Sequence, residues 1–292
     1  MVALLAIGNS FFFALSFVIV RVEMRRVNPL SALMIIQLWC LVGSSLISLV
    51  SVPLSHFANR AILYFIAAGV IGPLVGRFLL YVGINRVGVS IASPLAQMKA
   101  LFAIIAAMII LRESLTPSIG LGTVLIITGA IAISWEQSGG QIERKWSRKD
   151  LLFPLMSAAC FGATHVFRKV GLNISPEPIV GVTVQNATSV AVIPLLALVQ
   201  RGRQRLVLND TRAWFIFALA GLFTLASQLC LFYALDLGQV VIVTPLASLG
   251  PLFVLLLVGI FLKKLERVTW KIVLGSIFII GGTTVLTLVS QG

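Results

Sequence analysis

Two stretches decide the fold. Residues 113–129 read ESLTPSIGLGTVLIITG, and residues 266–282 read ERVTWKIVLGSIFIIGG. Both carry Glu, Thr, Gly and Gly separated by 3, 6 and 7 residues. Thr116 and Thr269 suit helix N-caps, and Pro117 suits a first helical turn. The paired glycines let another helix approach closely, which packing inside lipid rewards. Glu113 and Glu266 stand at the ends of apolar segments, where a carboxylate stays hydrated, and read as helix architecture.

The correspondence extends outward from this pair. Tyr81 precedes Pro94-Leu95-Ala96, as Tyr233 precedes Pro245-Leu246-Ala247. Gln37 and Gln185 occupy matching earlier segments. The chain is thus a tandem repeat, expected at 1–140 and 148–292, around the charged connection Glu136–Asp150. Apolar runs of membrane-spanning length recur in both halves. Ten are drawn: 2–20, 30–52, 61–84, 88–111, 116–135, 151–170, 178–200, 213–235, 239–262 and 269–289. Five spans per half is an odd number, so the second half enters the membrane from the opposite side. The fold class expected is an all-α polytopic membrane protein, with ten transmembrane helices in two inverted five-helix repeats. Secondary transporters use this plan, with the substrate held near the midplane between the repeats.

Composition agrees. Of 292 residues, 59% are hydrophobic and 11% charged, against about 25% charged in soluble domains. Mean hydropathy is +1.07. The run Val2–Val20 follows Met1 with no basic leader and reads as the first span rather than a cleaved signal. Cys40, Cys160 and Cys230 all fall within spans and read as small apolar fillers, not a disulfide framework or metal site. The net charge of +13 marks one face of a membrane protein rather than a nucleic-acid partner. Most basic clusters lie on the face opposite the N-terminus, so the positive-inside rule puts both termini outside.

Read together, the two five-span halves, Tyr81 with Pro94-Leu95, Tyr233 with Pro245-Leu246, and the Glu-x-x-Thr-then-glycine endings resemble the ten-span EamA branch of the drug/metabolite transporter superfamily. The resemblance covers nearly the whole chain. It implies a central cavity between the halves, alternating access and a small-molecule substrate. It also implies both termini in the cytoplasm, against the charge count. Relatives in the superfamily move amino acids, other metabolites, drugs, sugar nucleotides and phosphorylated sugars, so the motifs identify family far better than substrate.

Ionisable groups at membrane depth are costly and point to function. Lys99 lies near the middle of the fourth span, about 16 Å from either end. It shares a face with Ala92, Ala96 and Ala106. Arg77 reaches a similar depth in the third span, with Tyr81 one turn away. Pro73 among Gly69, Gly72 and Gly76 predicts a distorted, close-packed helix there. All nine acids lie in connections or at span ends, so the acid that neutralises Arg77 and Lys99 would come with the substrate. The binding set expected is Lys99, Arg77, Tyr81, Gln185, Gln228 and Asn9, with His165 as a candidate proton relay. The glutamines and His165 also suit plain helix–helix packing, and Arg168 and Lys169 read as interfacial anchors.

The function expected is a secondary transporter of a small metabolite, with an amino acid or other organic anion favoured and export the commoner direction in the family. A broad exporter of drugs or toxic metabolites is the alternative. A non-transporting structural or sensory membrane protein is the rival of a different class. An enzyme is not expected: paired aspartates, H-E-x-x-H spacing and a Ser-His-Asp set are all missing from the sequence, and no cofactor is implied. The partners expected are the substrate, the lipid bilayer of a bacterial cytoplasmic membrane, and a proton or counter-substrate. Nucleic acid is not among them, and the assembly is a monomer or homodimer.

Overall fold

The computed structural model describes residues 1–23, 29–57, 59–87, 92, 95–137, 147–199, 211–261 and 270–289. Among these, twelve α-helices carry the chain, and no strand occurs. They are α1 (Val2–Glu23), α2 (Pro29–Ser51), α3 (Ala61–Gly69), α4 (Arg77–Val87), α5 (Lys99–Ala106) and α6 (Pro117–Gln137) in the first half. The second half holds α7 (Leu152–Ile174), α8 (Pro178–Val199), α9 (Thr211–Leu237), α10 (Val240–Leu246), α11 (Gly250–Phe261) and α12 (Trp270–Val289). A π-helical turn, Val70–Gly76, joins α3 to α4, and another, Ala107–Leu111, extends α5.

Six helical segments are long and apolar enough to cross a membrane, and four shorter apolar helices complete the ten spans expected. Large apolar side chains such as Leu49, Val50, Leu63, Ile109 and Phe215 point outward. In lipid this is the solvated surface, and the buried stripe is left to small and polar residues.

The repeats are related by a two-fold axis in the helix packing. α1 packs on α9 and on α10–α11; correspondingly, α7 packs on α3–α4 and on α5. α2 meets α9 as α8 meets α3. The equivalent helices α6 and α12 pack directly against each other. A Cβ on Gly122 would sit 3.0 Å from the Gly282 carbonyl, and one on Gly275 would sit 2.9 Å from the Gly129 carbonyl. The first glycine of each helix thus meets the second of the other, so the two equivalent helices run antiparallel. That is the geometry of inversion, and it confirms the reading of residues 113–129 and 266–282. Glu266 and Thr269 themselves lie outside the described residues.

Three spans are not continuous helices: the third is distorted as expected, and the fourth and ninth break where continuous helices were expected. In the third, Pro73 removes one N–H and displaces the carbonyl four residues back, so the helix widens into the Val70–Gly76 π turn. The carbonyl freed, that of Gly69, is approached by Ser189 Oγ at 3.5 Å. The fourth span breaks at Met98 (ψ −4°), and the ninth at Ala247 (ψ −4°). Lys99 opens the second piece of the fourth span, and Gly250 opens the second piece of the ninth.

Candidate functional site

The two broken spans face the interior at mid-depth, and α7 lies beside the first of them. Gly162 makes this approach possible: a Cβ there would fall 2.9 Å from the Lys99 carbonyl and 2.7 Å from the Ala103 nitrogen. Further along α7, His165 is one turn on from Gly162 and Arg168 one turn on from His165, and both are buried. Lys99, His165 and Arg168 lie within electrostatic reach of one another.

Arg168 is held from two directions. Its Nε donates to Gln185 Oε1 of α8 at 2.8 Å, and its guanidinium lies over the Phe232 ring of α9, 5.2 Å from the centroid. Phe232 in turn packs on Phe65. Gln185 stands seven residues into α8 and Arg168 six residues before the end of α7, so both lie about 10 Å inside the same face. His165 and Gln228 each stand nine residues from that face, about 14 Å deep.

Several buried polar atoms in the two broken spans and in α7, α8 and α9 have no hydrogen-bond partner among the described residues. They are Gln97 Oε1, His165 Nδ1, Gln228 Oε1, Thr244 Oγ1 and both amide atoms of Asn186. Neither Lys99 nor Arg168 forms an ion pair there; the two described ion pairs, His56–Glu177 and Arg86–Asp150, lie at the two faces. No Asp or Glu is buried among the described residues. Cations at membrane depth without a counter-charge are expensive, and buried polar atoms are normally paired. The arrangement suits a polar ligand that brings negative charge.

The remaining residues of the expected set are placed differently. Asn9 is spent on packing: its Nδ2 donates to Ser227 Oγ at 2.8 Å and to the Ser227 carbonyl at 2.9 Å. Arg77 is half-buried at the start of α4 and lies within electrostatic reach of Cys40 of α2. The cation that neighbours Lys99 is Arg168. Tyr81 belongs to α4, and its side chain lies outside the described ones. Sequence reasoning missed Arg168, taken for an interfacial anchor, and Gln97. Spacing alone does not place Arg168, since six residues carry it about 120° round the helix from Gly162. An apolar groove of about 300 Å³ between α5 and α7, lined by Phe102, Ile105, Ile109, Ile110 and Ala163, opens on exposed isoleucines and carries no polar side chain.

Comparison with known proteins places this geometry. The pattern of the EamA-like transporter family matches residues 1–135 and again residues 148–288. An uncharacterized transporter in the cobO 3' region of a Sinorhizobium species is 34% identical over 134 residues, which is 45% of this chain and 92% of that protein. A crystal structure with 14% sequence identity superposes with a TM-score of 0.82 over 99% of this chain and 97% of its own, a likeness of fold.

Proposed function

This chain belongs to the EamA-like transporter family, and from that premise we propose that it exports a small organic anion, amino acids included, across a bacterial cytoplasmic membrane by alternating access. The apolar spans support a place in a membrane; the substrate class rests on one observation. Lys99, half-buried near mid-span, and Arg168, buried about 10 Å inside one face, are two cations with no buried acid beside them among the described residues. Together they form a site that a carboxylate or phosphate neutralises.

Local structure favours the same ligand. Lys99 is the first residue of α5, so the positive end of that helix adds to its ammonium. The Gln185 oxygen on Nε and the Phe232 ring fix the guanidinium plane, so Arg168 is presented as a rigid fork. Gln97, Gln228 and Asn186 supply buried amide atoms for the neutral part of a substrate. His165, between the cations and with Nδ1 unpartnered, is the group through which a proton could couple to transport.

The test is binding and flux in proteoliposomes with a panel of carboxylates, amino acids and phosphate esters. Lys99→Ala and Arg168→Ala should each weaken anion binding about tenfold or more, the worth of a hydrogen bond to a charged group. Unchanged binding of every anion in both variants would end this reading.

A further inference from the structure

The transport cycle needs a part that the binding site does not supply: something that holds one face shut. Ten spans put both termini on one face, together with the connections 52–60, 112–116, 175–177 and 238–239. On this face Glu113, from the first repeat, reaches into the second. Its Oε1 accepts from the Val240 N–H and its Oε2 from the Val241 N–H, both at 2.9 Å. These are the first two residues of α10, whose preceding residue, Gln239, is extended (φ −80°, ψ 145°) and offers no side-chain cap. The carboxylate of one repeat therefore serves as the cap for a helix of the other.

The contact is backed on both sides. Arg112, just before Glu113, is the only non-glycine residue with positive φ among the described residues (φ 55°, ψ 32°). Its left-handed conformation ends the π turn and turns the chain so that Glu113 faces α10, and the Glu113 N–H returns to the Ala107 carbonyl at 3.4 Å. A side chain in this region carries a strain of about 1–2 kcal/mol, tolerated where surroundings hold it. On the far side, Lys169 Nζ donates to the Leu235 carbonyl at 2.7 Å and lies within electrostatic reach of both Glu113 and Asp236. The fourth span, α7, α9 and α10 meet at this cluster.

We infer that Glu113 is a latch: its carboxylate, bonded across the repeat boundary to the Val240 and Val241 amides, holds the N-terminal face closed, and alternating access requires its release. This inference rests on the transport reading. The contact joins the fourth and ninth spans, the two that break beside the candidate binding site. Rocking one repeat against the other must separate them. The latch is a point contact between a charge and two dipoles, so it can part without unpacking a core. Glu113 is thus the repeat's own Glu-x-x-Thr acid put to a second use: it ends one span and ties that end to the span opposite.

The experiment reads access without substrate, so its outcome is independent of whether the anion site is correctly assigned. Thr244 is fully buried one turn below Val240. Thr244→Cys is placed in a background with Cys40, Cys160 and Cys230 replaced by Ala, and its labelling by a membrane-impermeant maleimide at the N-terminal face of oriented vesicles is timed. Glu113→Gln should raise the labelling rate about tenfold by weakening a charged hydrogen bond. Val240→Pro is the second variant. It deletes one donor, leaves the carboxylate, and suits both the first helical position and the extended Gln239 before it. It should raise the rate by a smaller factor, and it carries the test alone if Glu113→Gln does not fold. A labelling rate equal to that of the Thr244→Cys parent in every variant that folds would overturn the latch.

Discussion

The interface of α1 with α9 and that of α7 with the third span occupy equivalent places in the two-fold frame, yet they are built differently. Between α1 and α9, polar side chains do the joining: Asn9 bonds Ser227 twice, the Ser227 hydroxyl returns to the Asn9 carbonyl, and Ser16 reaches the Ala220 carbonyl and the Thr224 hydroxyl. Between α7 and the third span, glycines do it: Gly72 lies under Thr164, Gly76 under Cys160 and Gly83 under Pro154. Among the described residues, one long-range hydrogen bond accompanies them, from Ser157 Oγ to the Gly76 carbonyl at 2.6 Å. The glycine-built side is also the one that carries His165 and Arg168. Where α1 spends its polar groups on its neighbours, α7 packs through backbone and leaves its polar groups for the interior. A symmetric frame has been given an asymmetric lining.

This difference can be broken or sharpened by substitution. The largest effect is expected on the glycine side. A Cβ at Gly72 already falls 2.7 Å from Thr164 Oγ1, so Gly72→Val should overpack the contact and cost about 2–3 kcal/mol, read as a lower unfolding midpoint in a detergent titration. On the polar side, Asn9→Ala removes two buried bonds and should cost about 1–2 kcal/mol in the same titration. The smallest effect belongs to Ser157→Ala, at about 0.6 kcal/mol, the average for a hydrogen bond between membrane helices. If Ser157→Ala costs more than Asn9→Ala, the two sides do not differ in the way their contacts indicate.

The broken spans show where legibility ends. Proline and glycine at 69–76 announced a distorted third span, because a missing N–H is a local property, and the π turn is there. The breaks at Met98 and Ala247 fall at the repeated Pro-Leu-Ala, but that triplet was read only as a mark of the repeat, so Lys99 was read as mid-helix rather than as a helix start. Glu113 was read as a hydrated span-end carboxylate, whereas both its oxygens are bonded, and the nearer partner, Val240, lies 127 residues away. Nothing local connects a span-end carboxylate with the amides of another helix. Arg168 was misjudged for a related reason. Its distance from the span end suits an anchor, and only the approach of Gln185 and Phe232 shows that it turns inward.

What the sequence determined by itself was the class and the frame: ten apolar spans, two repeats and their inversion. Those follow from composition, segment length and spacing, which act within a segment or repeat with it. The tertiary structure decided which cations share a site, which polar groups are spent on packing, and which acid bridges the repeats. Those depend on helix rotation and on where a span breaks. Both are set by contacts such as Gly162 against Lys99, made between residues far apart in the chain.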